Sequence, residues 1–383
     1  MSITLPAARE SGAPHLRVRE IEPHADSRWD SFVASQTDGL VYHHSTWLSA
    51  LTHEYGQPII GLACEDATHR LRGILPLMLT RGLPGARLLP AGAEPRLASL
   101  PRTPIAGPLA DGPDATAALL KEAIDRTDQL AGHRLQLKTE TPGLDAVERR
   151  LVCAPWRSTY RVDLSPGSAA LRFGDSRNNA RIRWAVNKAS RSGVVVREAT
   201  SQGDLKAWYR LYLDVNRWHA LPARSFRFFD AVWQLLRPAG LSRLFVAEQR
   251  SGTDYQLLAG SFIFQLGRTA FYAFNGRLRE GLPLRPNDVI QWHAIHQAAE
   301  SGSSVYDLGE VEVGNLGLAA FKTKWGAIEQ PLFRYYHPAP PHLDAGYGAM
   351  ESEGRARRVG RAVWRRVPLQ VTEALGGLVY RYL

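Results

Sequence analysis

The spacing of apolar and polar residues predicts a chain of mixed strands and helices. Short apolar or alternating runs between turn residues are typical of strands, and apolar residues three and four positions apart are typical of helices. The strand pattern occurs at 15–22, 58–64, 71–80, 135–138, 160–164, 242–249, 257–265, 269–275, 305–308 and 332–336. The helix pattern occurs at 47–55, 114–131, 176–192, 204–218, 226–236 and 287–301. Because both patterns occur in both halves, we predict an α+β fold.

The pattern begins again after a polar, proline-containing stretch at 141–155, which predicts a division of the chain near residue 150. A length of 383 residues is enough for two domains of ordinary size. We therefore predict two tandem domains, with a leader before them and a tail after them. Their ranges are 1–14 for a flexible leader, 15–150 and 151–340 for the two domains, and 341–383 for a basic C-terminal tail.

Composition favours a globular protein of the cytoplasm. Apolar residues make up 44% of the chain and charged residues 22%, which is ordinary for a globular protein. The two cysteines, Cys64 and Cys153, suit a reducing compartment better than a disulfide framework. No apolar run reaches the roughly 18 residues of a membrane-spanning helix, and the N-terminus lacks the apolar segment of a secretion signal. We therefore predict a cytoplasmic location.

A net charge of +10 favours an anionic partner, and one predicted helix concentrates this charge. Within 176–192, four cations and one tryptophan are spaced 4, 3, 4 and 3 residues apart, so they share one helix face. They are Arg177, Arg181, Trp184, Lys188 and Arg191. No acidic residue neutralises this stripe, which favours binding of tRNA or another phosphate-bearing ligand; the alternative is a solvated charged face. Ser176 is expected to cap the helix, and Gly193 suits its end.

The predicted tail contains a second basic run. Residues 355–366 include six arginines and no acid, and the residues after them are largely apolar. This composition suits peripheral contact with an anionic membrane surface, or contact with tRNA. A poorly ordered terminus is the alternative, because chain termini often lack fixed structure.

Several segments of the second half occur together in an order that resembles the FemABX-like aminoacyltransferases. The first are Leu-Ala-Gly at 258–260 and Phe-Tyr-Ala-Phe-Asn-Gly at 271–276, followed by a proline-containing loop and Gln-Trp-His-Ala-Ile at 291–295. The next are Val-Tyr-Asp-Leu-Gly at 305–309 and Gly-Leu-Ala-Ala-Phe-Lys-Thr-Lys-Trp-Gly at 317–326. The resemblance covers residues 160–337, with a weaker echo in the first half.

The resemblance implies two tandem domains of the GCN5-related N-acetyltransferase (GNAT) fold, since members of that family have twin domains of this kind. Many members use aminoacyl-tRNA as co-substrate, without a further cofactor, and add an amino acid to an amine of a peptidoglycan precursor. By resemblance, Lys322 polarises the acyl carbonyl or holds a substrate phosphate, and Arg217 contacts a phosphate of the acceptor. We therefore expect aminoacyl-tRNA and a small-molecule or peptide acceptor, including a phosphorylated one, as partners.

Residues near Lys322 are candidates for the remaining chemistry. Attack of an amine on an aminoacyl ester passes through an oxyanion, and the amine must lose a proton. Asp307 and Glu310, predicted at a strand end beside Lys322, are candidates for the group that accepts this proton. The alternative is a structural ion pair between Asp307 and Lys322. Tyr272 and Trp325 are candidates for lining a ligand slot.

The junction between the loop at 277–287 and the following helix is a further candidate binding site. Free N–H groups at a helix N-terminus can receive a phosphate. Asn275 and Asn287 lie on either side of this loop, and we predict that they bind substrate. The alternative for Asn287 or Asp288 is simple capping of the helix.

Other catalytic patterns are missing from the sequence. It contains no G-x-S-x-G, H-E-x-x-H or G-x-x-x-x-G-K-[ST] motif, and the pair His293 and His296 has no third ligand, so we predict no metal site. The GNAT pyrophosphate pattern occurs only at 357–362, where we interpret it as chance. We predict a tRNA-dependent aminoacyltransferase. The alternatives are an acyl-CoA-dependent N-acyltransferase of cell-envelope or polysaccharide biosynthesis and a non-catalytic anion-binding protein.

Overall fold

The computed structural model describes residues 16–82, 94–252, 254–340 and 364–380. The predicted leader, the chance motif at 357–362 and four of the six arginines in the basic run lie outside these residues. The strands of the described part are β1 (Arg17–Ile21), β2 (Ile59–Glu65), β3 (Leu71–Thr80), β4 (Arg96–Ala98), β5 (Leu109–Ala110), β6 (Arg134–Thr139), β7 (Val152–Asp163), β8 (Val194–Glu198), β9 (Ser242–Ser251), β10 (Asp254–Leu266), β11 (Thr269–Arg277), β12 (Val305–Val311) and β13 (Ile328–His337).

The α-helices of the described part cover the sheet and close the chain. They are α1 (Ser27–Ser35), α2 (Ser45–Tyr55), α3 (Pro113–Asp128), α4 (Leu144–Val147), α5 (Ser176–Arg191), α6 (Gln202–His219), α7 (Phe226–Leu235), α8 (Pro286–Glu300), α9 (Leu316–Thr323) and α10 (Leu369–Tyr380). The α+β fold is therefore confirmed.

All the strands of the described residues belong to one sheet. Their order is β1-β2-β3-β4-β6-β13-β7-β12-β11-β10-β9-β8, with β5 beside β3. Two pairings are parallel, β4 with β6 and β11 with β12, and the others are antiparallel. β13 pairs with β6 on one side and with β7 on the other, so the sheet continues from one half of the chain into the other. The division near residue 150 stays a prediction.

The largest hydrophobic core joins the two halves of the chain. Trp47 of α2 packs edge-to-face against Phe228 of α7 and Phe264 of β10, with ring centroids 5.7 and 5.2 Å apart. Tyr42, just before α2, lies with its ring centroid 4.8 Å from that of Phe271 in β11. Aromatic pairs at these distances bury large apolar areas. This core therefore holds the α1–α2 region against β10 and β11.

Most predicted elements are present, and most of the missed ones are short. β3 has the predicted bounds, α5 and α7 differ from theirs by one residue at one end, and α8 differs by one residue at each end. The sequence pattern does not predict α1, β4, β5, α4 or β8. β4 and β5 have three and two residues, so pairing with neighbouring strands determines them more than local preference does. β7 begins eight residues before the predicted strand, and its extra residues pair with β13.

One expectation about a helix cap and one alternative for the C-terminal tail need correction. The side chain of Asp175, and not that of Ser176, caps α5 by accepting from the N–H of Asn178 at 2.7 Å. Gly193 follows the end of α5 with a φ of 74°, as expected for a glycine there. Residues 369–380 of the tail form α10, which packs against the segment before α7, so a poorly ordered terminus does not describe this part.

Candidate active site at the divergence of two parallel strands

A cavity of about 190 Å³ lies where β11 and β12 separate. The two strands pair at Thr269–Phe271 with Val305–Asp307 and then diverge. Diverging strands leave backbone groups without partners in the sheet, and such groups are available to a ligand. Residues of both halves line the cavity, among them Tyr42, Arg102, Thr159, Tyr272, Asp307 and Glu310. The site therefore exists only when the two halves are packed together.

Asp307 is held in place by three hydrogen bonds. It is buried, with 3% of its surface exposed. One carboxylate oxygen accepts from the Thr159 hydroxyl at 2.5 Å and the Gly309 N–H at 2.7 Å, and the other accepts from Arg161 Nε at 2.9 Å. Arg161 also pairs with Glu140. The ion pair of Asp307 is thus formed with Arg161, and the structural pair with Lys322 considered from the sequence is not formed in the described residues.

A bulge after Asp307 turns Glu310 toward the cavity. The register between β12 and β7 shifts between Asp307 and Glu310, and Gly309 has a φ of 82°, which glycine adopts without strain. One oxygen of the Glu310 carboxylate accepts from Trp156 Nε1 at 3.1 Å, and the other lies 3.5 Å from Arg334 Nη2. Glu310 lines the cavity, so its carboxylate is placed to interact with a ligand there.

Lys322 reaches the same bulge from α9. Its Nζ donates to the carbonyl of Gly309 at 2.7 Å and to that of Glu310 at 3.0 Å. Burial lowers the pKa of Lys322 to about 8, and the nearby carboxylates of Asp307 and Glu310 partly oppose this shift. An amine that titrates near neutral pH can act as a hydrogen-bond donor when charged and as a proton acceptor when neutral.

The free energy of unfolding is expected to depend on pH through Lys322. Its pKa is about 8 when folded and 10.5 as the reference value, so between these values the unfolded chain binds a proton that the folded protein lacks. The contribution of Lys322 to stability therefore rises with pH across this window, by on the order of 3 kcal/mol. Denaturant unfolding measures this free energy for the wild type and for Lys322→Met across the window. The free energy of unfolding of the wild type should rise relative to that of the variant as pH rises. A difference independent of pH would contradict the burial of this ammonium group.

Asn275 and Asn287 are brought together beside the cavity. The amide nitrogen of Asn275 lies 3.1 Å from the Ser261 hydroxyl and donates to Asn287 Oδ1 at 3.3 Å. The buried Oδ1 of Asn275 has no hydrogen-bond partner among the described residues. Asn287 lies in the first turn of α8 and does not cap it, because Arg285 occupies the cap position. Asp288 instead accepts from Lys324 Nζ at 2.5 Å.

Three other residues with predicted substrate roles have different positions. Tyr272 lies on the cavity wall, and burial raises the pKa of its hydroxyl. Trp325 is fully buried and packs edge-to-face on Phe173, with ring centroids 5.2 Å apart, so it belongs to the core. Arg217 lies at the end of α6, where it pairs with Asp214 and donates to the carbonyl of Val367 at 3.4 Å. It is not among the residues that line the cavity.

The cationic stripe of α5 faces solvent. Its arginines and Trp184 are exposed, and Lys188 is half-buried. Trp184 is 50% exposed, with Lys188 Nζ 5.5 Å and the Arg285 guanidinium 5.5 Å from its ring centroid. The ion pairs of the described residues include none with Arg177, Arg181, Lys188 or Arg191. Its charge therefore stays uncompensated in the fold, as the sequence indicates.

Sequence reasoning misses a buried cationic group beside Glu310. Arg334 is 6% exposed, lies over the Trp156 ring at 4.6 Å, and has two buried nitrogens without a hydrogen-bond partner. Burial lowers the pKa of Arg334 to about 10, and Glu310 partly opposes this shift. Lys138 is also buried, and its Nζ donates to the carbonyls of Leu100 at 2.5 Å and Thr103 at 3.3 Å. The sequence contains one signal for these residues: Lys138 and Arg334 each lie within a run that otherwise has the strand pattern, where a cation is unusual.

Comparison with known proteins identifies the fold. The family profile Acetyltransf_6, described as Acetyltransferase (GNAT) domain, matches residues 176–323. The crystal structure of FemX superposes with a TM-score of 0.65 and 15% identity, over 83% of this chain and 96% of FemX. This protein shares the fold of FemX, and its residues 176–323 match a GNAT domain. The resemblance and the two tandem GNAT-like domains are thereby confirmed, and residues 176–323 form a domain of an acyltransferase superfamily.

Two further solved structures share this fold. The C-terminal domain (DUF2156) of a putative lysylphosphatidylglycerol synthetase from Agrobacterium fabrum matches with a TM-score of 0.55 and 13% identity, over 83% of this chain and 93% of that one. L-PGS from Bacillus licheniformis matches with a TM-score of 0.53 and 13% identity, over 85% and 95% of the two chains. At these identities the likeness concerns the fold. A search of curated proteins by sequence finds no match.

Proposed function

We propose that the protein is an aminoacyltransferase that takes its aminoacyl group from tRNA and forms an amide with an amine of a small-molecule or peptide acceptor. The observation that carries the choice of donor is the exposed, uncompensated cationic stripe of α5, with Trp184 between its cations. Phosphate contacts supply most of the sequence-independent affinity for a nucleic acid, and an aromatic ring adds stacking on a base. The stripe offers both on one helix face.

The cavity and the bulge on its wall carry the groups that this reaction requires: Glu310 lines the cavity, and Lys322 reaches the bulge from α9 without lining the cavity itself. The acceptor nitrogen forms a bond to the acyl carbon, the ester bond to the terminal ribose breaks, and the freed ribose oxygen takes up a proton. The Lys322 ammonium stabilises the negative charge on the acyl oxygen, and the Glu310 carboxylate takes the proton from the amine. Asp307 keeps its three hydrogen bonds and positions the bulge that carries Glu310. We therefore assign Asp307 a positioning role.

Arginines at and beside the cavity favour an acceptor with an anionic group. Arg102 lines the cavity, and the buried Arg334 lies 3.5 Å from a carboxylate oxygen of Glu310. Buried cations are stabilised by an opposite charge, and a phosphate or carboxylate of the acceptor supplies one. A phosphorylated precursor of the cell envelope or of a peptide product has this chemistry.

A transfer assay distinguishes this proposal from its alternatives. The purified protein is incubated with radiolabelled aminoacyl-tRNAs or with acyl-CoAs, each with a pool of cell-envelope precursors, and labelled amides are separated. We expect label transfer from aminoacyl-tRNA. The match to an acetyltransferase profile favours the second candidate, an acyl-CoA-dependent N-acyltransferase, and transfer from acyl-CoA alone would establish it. No transfer from either donor would favour a non-catalytic anion-binding protein.

Charge reversal at Arg181 and Lys188 is expected to weaken tRNA binding. The double variant Arg181→Glu, Lys188→Glu should bind tRNA at least about tenfold more weakly at low salt, and its affinity should depend less on salt concentration. Fluorescence anisotropy with labelled tRNA at several salt concentrations measures both effects. Lys206→Glu, Arg210→Glu is the matched control, because it reverses two exposed cations of α6. Equal losses of tRNA affinity in the two double variants would show that the stripe contributes only through the net positive charge of the protein.

A further inference from the structure

One face of α10 is apolar and exposed. Val371 is 44%, Leu375 38% and Leu378 52% exposed, and Ala374 between them is exposed as well. At about 100° per residue, these four side chains fall within one sector of the helix. We call them the apolar face of α10. No polar side chain lies within this sector, so the face is a continuous aliphatic surface.

The opposite side of α10 is fixed to the protein, which prevents the apolar face from turning inward. Thr372 is fully buried, and α10 contacts α6. A side chain at Gly376 would collide with the carbonyl oxygen of Ala223, so the helix lies directly on that backbone. These contacts hold the helix in one orientation. The exposure of the apolar face is therefore a property of the folded protein and not of a loose end.

Arginines and a tryptophan lie just before α10 and at the end of α6, the helix that α10 contacts. Trp218, at the end of α6, is 39% exposed and lies close to two guanidinium groups. The Arg279 guanidinium lies 3.5 Å from the ring centroid of Trp218, and that of Arg365 lies 4.4 Å from it. Arg365 Nε also donates to the carbonyl of Trp218 at 2.9 Å, and Arg366 beside it is exposed. We call Trp218, Arg279, Arg365 and Arg366 the basic rim.

We propose that the apolar face of α10 and the basic rim form a docking surface for an anionic lipid bilayer. Aliphatic side chains on one helix face enter the boundary of the acyl chains, while arginines and tryptophan remain at the level of the headgroups. The positive rim complements anionic headgroups. None of the helices in the described ranges has the length and apolar character that crossing a bilayer requires.

Two other occupants suit this surface less well. A nucleic acid would contact the arginines and Trp218 but would leave the aliphatic side chains of Val371, Leu375 and Leu378 without an apolar partner. A second copy of the chain, related by a twofold axis, would set one basic rim against the other, and like charges repel. A bilayer satisfies the apolar and the charged parts of the surface together.

Flotation with lipid vesicles tests the proposal with the full-length protein and without an activity assay. The protein is mixed with vesicles of phosphatidylcholine alone, or of equimolar phosphatidylcholine and phosphatidylglycerol. We expect flotation with the anionic vesicles and little with the neutral ones. Absence of flotation with the anionic vesicles would overturn the proposal.

Variants locate the contact. Leu375→Asp, Leu378→Asp should reduce binding to the anionic vesicles at least about tenfold, since the apolar contribution is lost. Arg365→Gln, Arg366→Gln should reduce it less at high salt than at low salt. The control is Val195→Asp, which places the same charge at an apolar residue of β8 that is 48% exposed. Circular dichroism and thermal unfolding verify that each variant folds.

Each contrary outcome identifies another occupant. If Leu375→Asp, Leu378→Asp floats as the wild type does, the apolar face of α10 does not contact the bilayer. A loss of tRNA affinity in this variant, with flotation retained, would assign the surface to nucleic acid. A change from dimer to monomer in sedimentation, again with flotation retained, would assign it to a second copy of the chain. All three results overturn the proposal.

Discussion

Replacing Lys322 with alanine is expected to lower the rate of acyl transfer by about 100-fold or more while the protein stays folded. The Nζ of Lys322 donates to the carbonyls of Gly309 and Glu310, at the point where β11 leaves β12. The substitution removes both the cation that stabilises the acyl oxygen and the clamp on the bulge that holds Glu310. Single-turnover transfer from labelled aminoacyl-tRNA measures the rate, and circular dichroism with thermal unfolding verifies the fold.

The pH profile separates a chemical role of Lys322 from a purely structural one. Because its pKa is about 8, the wild-type rate should change as pH passes through that value. Lys322→Arg keeps a positive charge that does not titrate in this range, so its profile should lack this inflection. If Lys322→Ala transfers at the wild-type rate, Lys322 has no catalytic role. If Lys322→Arg has a lower rate but the same pH profile as the wild type, Lys322 only holds the bulge.

Replacing Asp307 with asparagine is expected to lower the free energy of unfolding by about 3 kcal/mol or more. The carboxylate of Asp307 accepts from Thr159, Gly309 and Arg161, and it is buried. The amide keeps the size of the side chain but removes the charge that compensates Arg161 and directs an N–H toward one of these donors. Denaturant unfolding of the wild type and the variant measures the loss.

The matched control for Asp307 is Asp163→Asn at the end of β7. Asp163 is exposed, and its carboxylate accepts from the N–H of Ser165 at 2.9 Å. The same chemical change there should cost about 1 kcal/mol or less, because water replaces the lost interaction. Similar losses at the two positions would show that burial and the Arg161 pair contribute little, and Asp307 would then need another explanation.

Local sequence patterns predict the long elements of this fold and miss the short ones. The helix pattern at 176–192 gives α5 within one residue, because the spacing of Ile182, Ala185 and Ala189 is a property of that segment alone. β4 escapes prediction because its position depends on pairing with β6, which lies elsewhere in the chain. β8 contains three consecutive valines, a local strand signal that the predicted pattern leaves out. The capping of α5 by Asp175 is a local feature that the sequence contains and that the choice of Ser176 misses.

The sequence also predicts one part of the candidate site and misses another. Lys322, Asp307 and Glu310 lie within sixteen positions of one another, and the motifs that carry the resemblance include two of them. Their roles differ because of residues far away in sequence. Arg161 is the partner of Asp307, and Trp156 donates to Glu310, although 146 and 154 positions separate the residues of these pairs. Trp325 belongs to the same motif as Lys322, yet the fold buries it against Phe173.

The sequence by itself determined the α+β class, the long helices and strands, the face of α5 that carries the cations, and the segments that resemble the FemABX-like family. These depend on periods of two and 3.6 residues or on short motifs, which a single segment contains. The tertiary structure alone decided that β13 lies between β6 and β7, that Asp307 pairs with Arg161, and that α10 exposes its apolar face. These depend on packing between distant segments, where burial and the available partners determine what each side chain contacts.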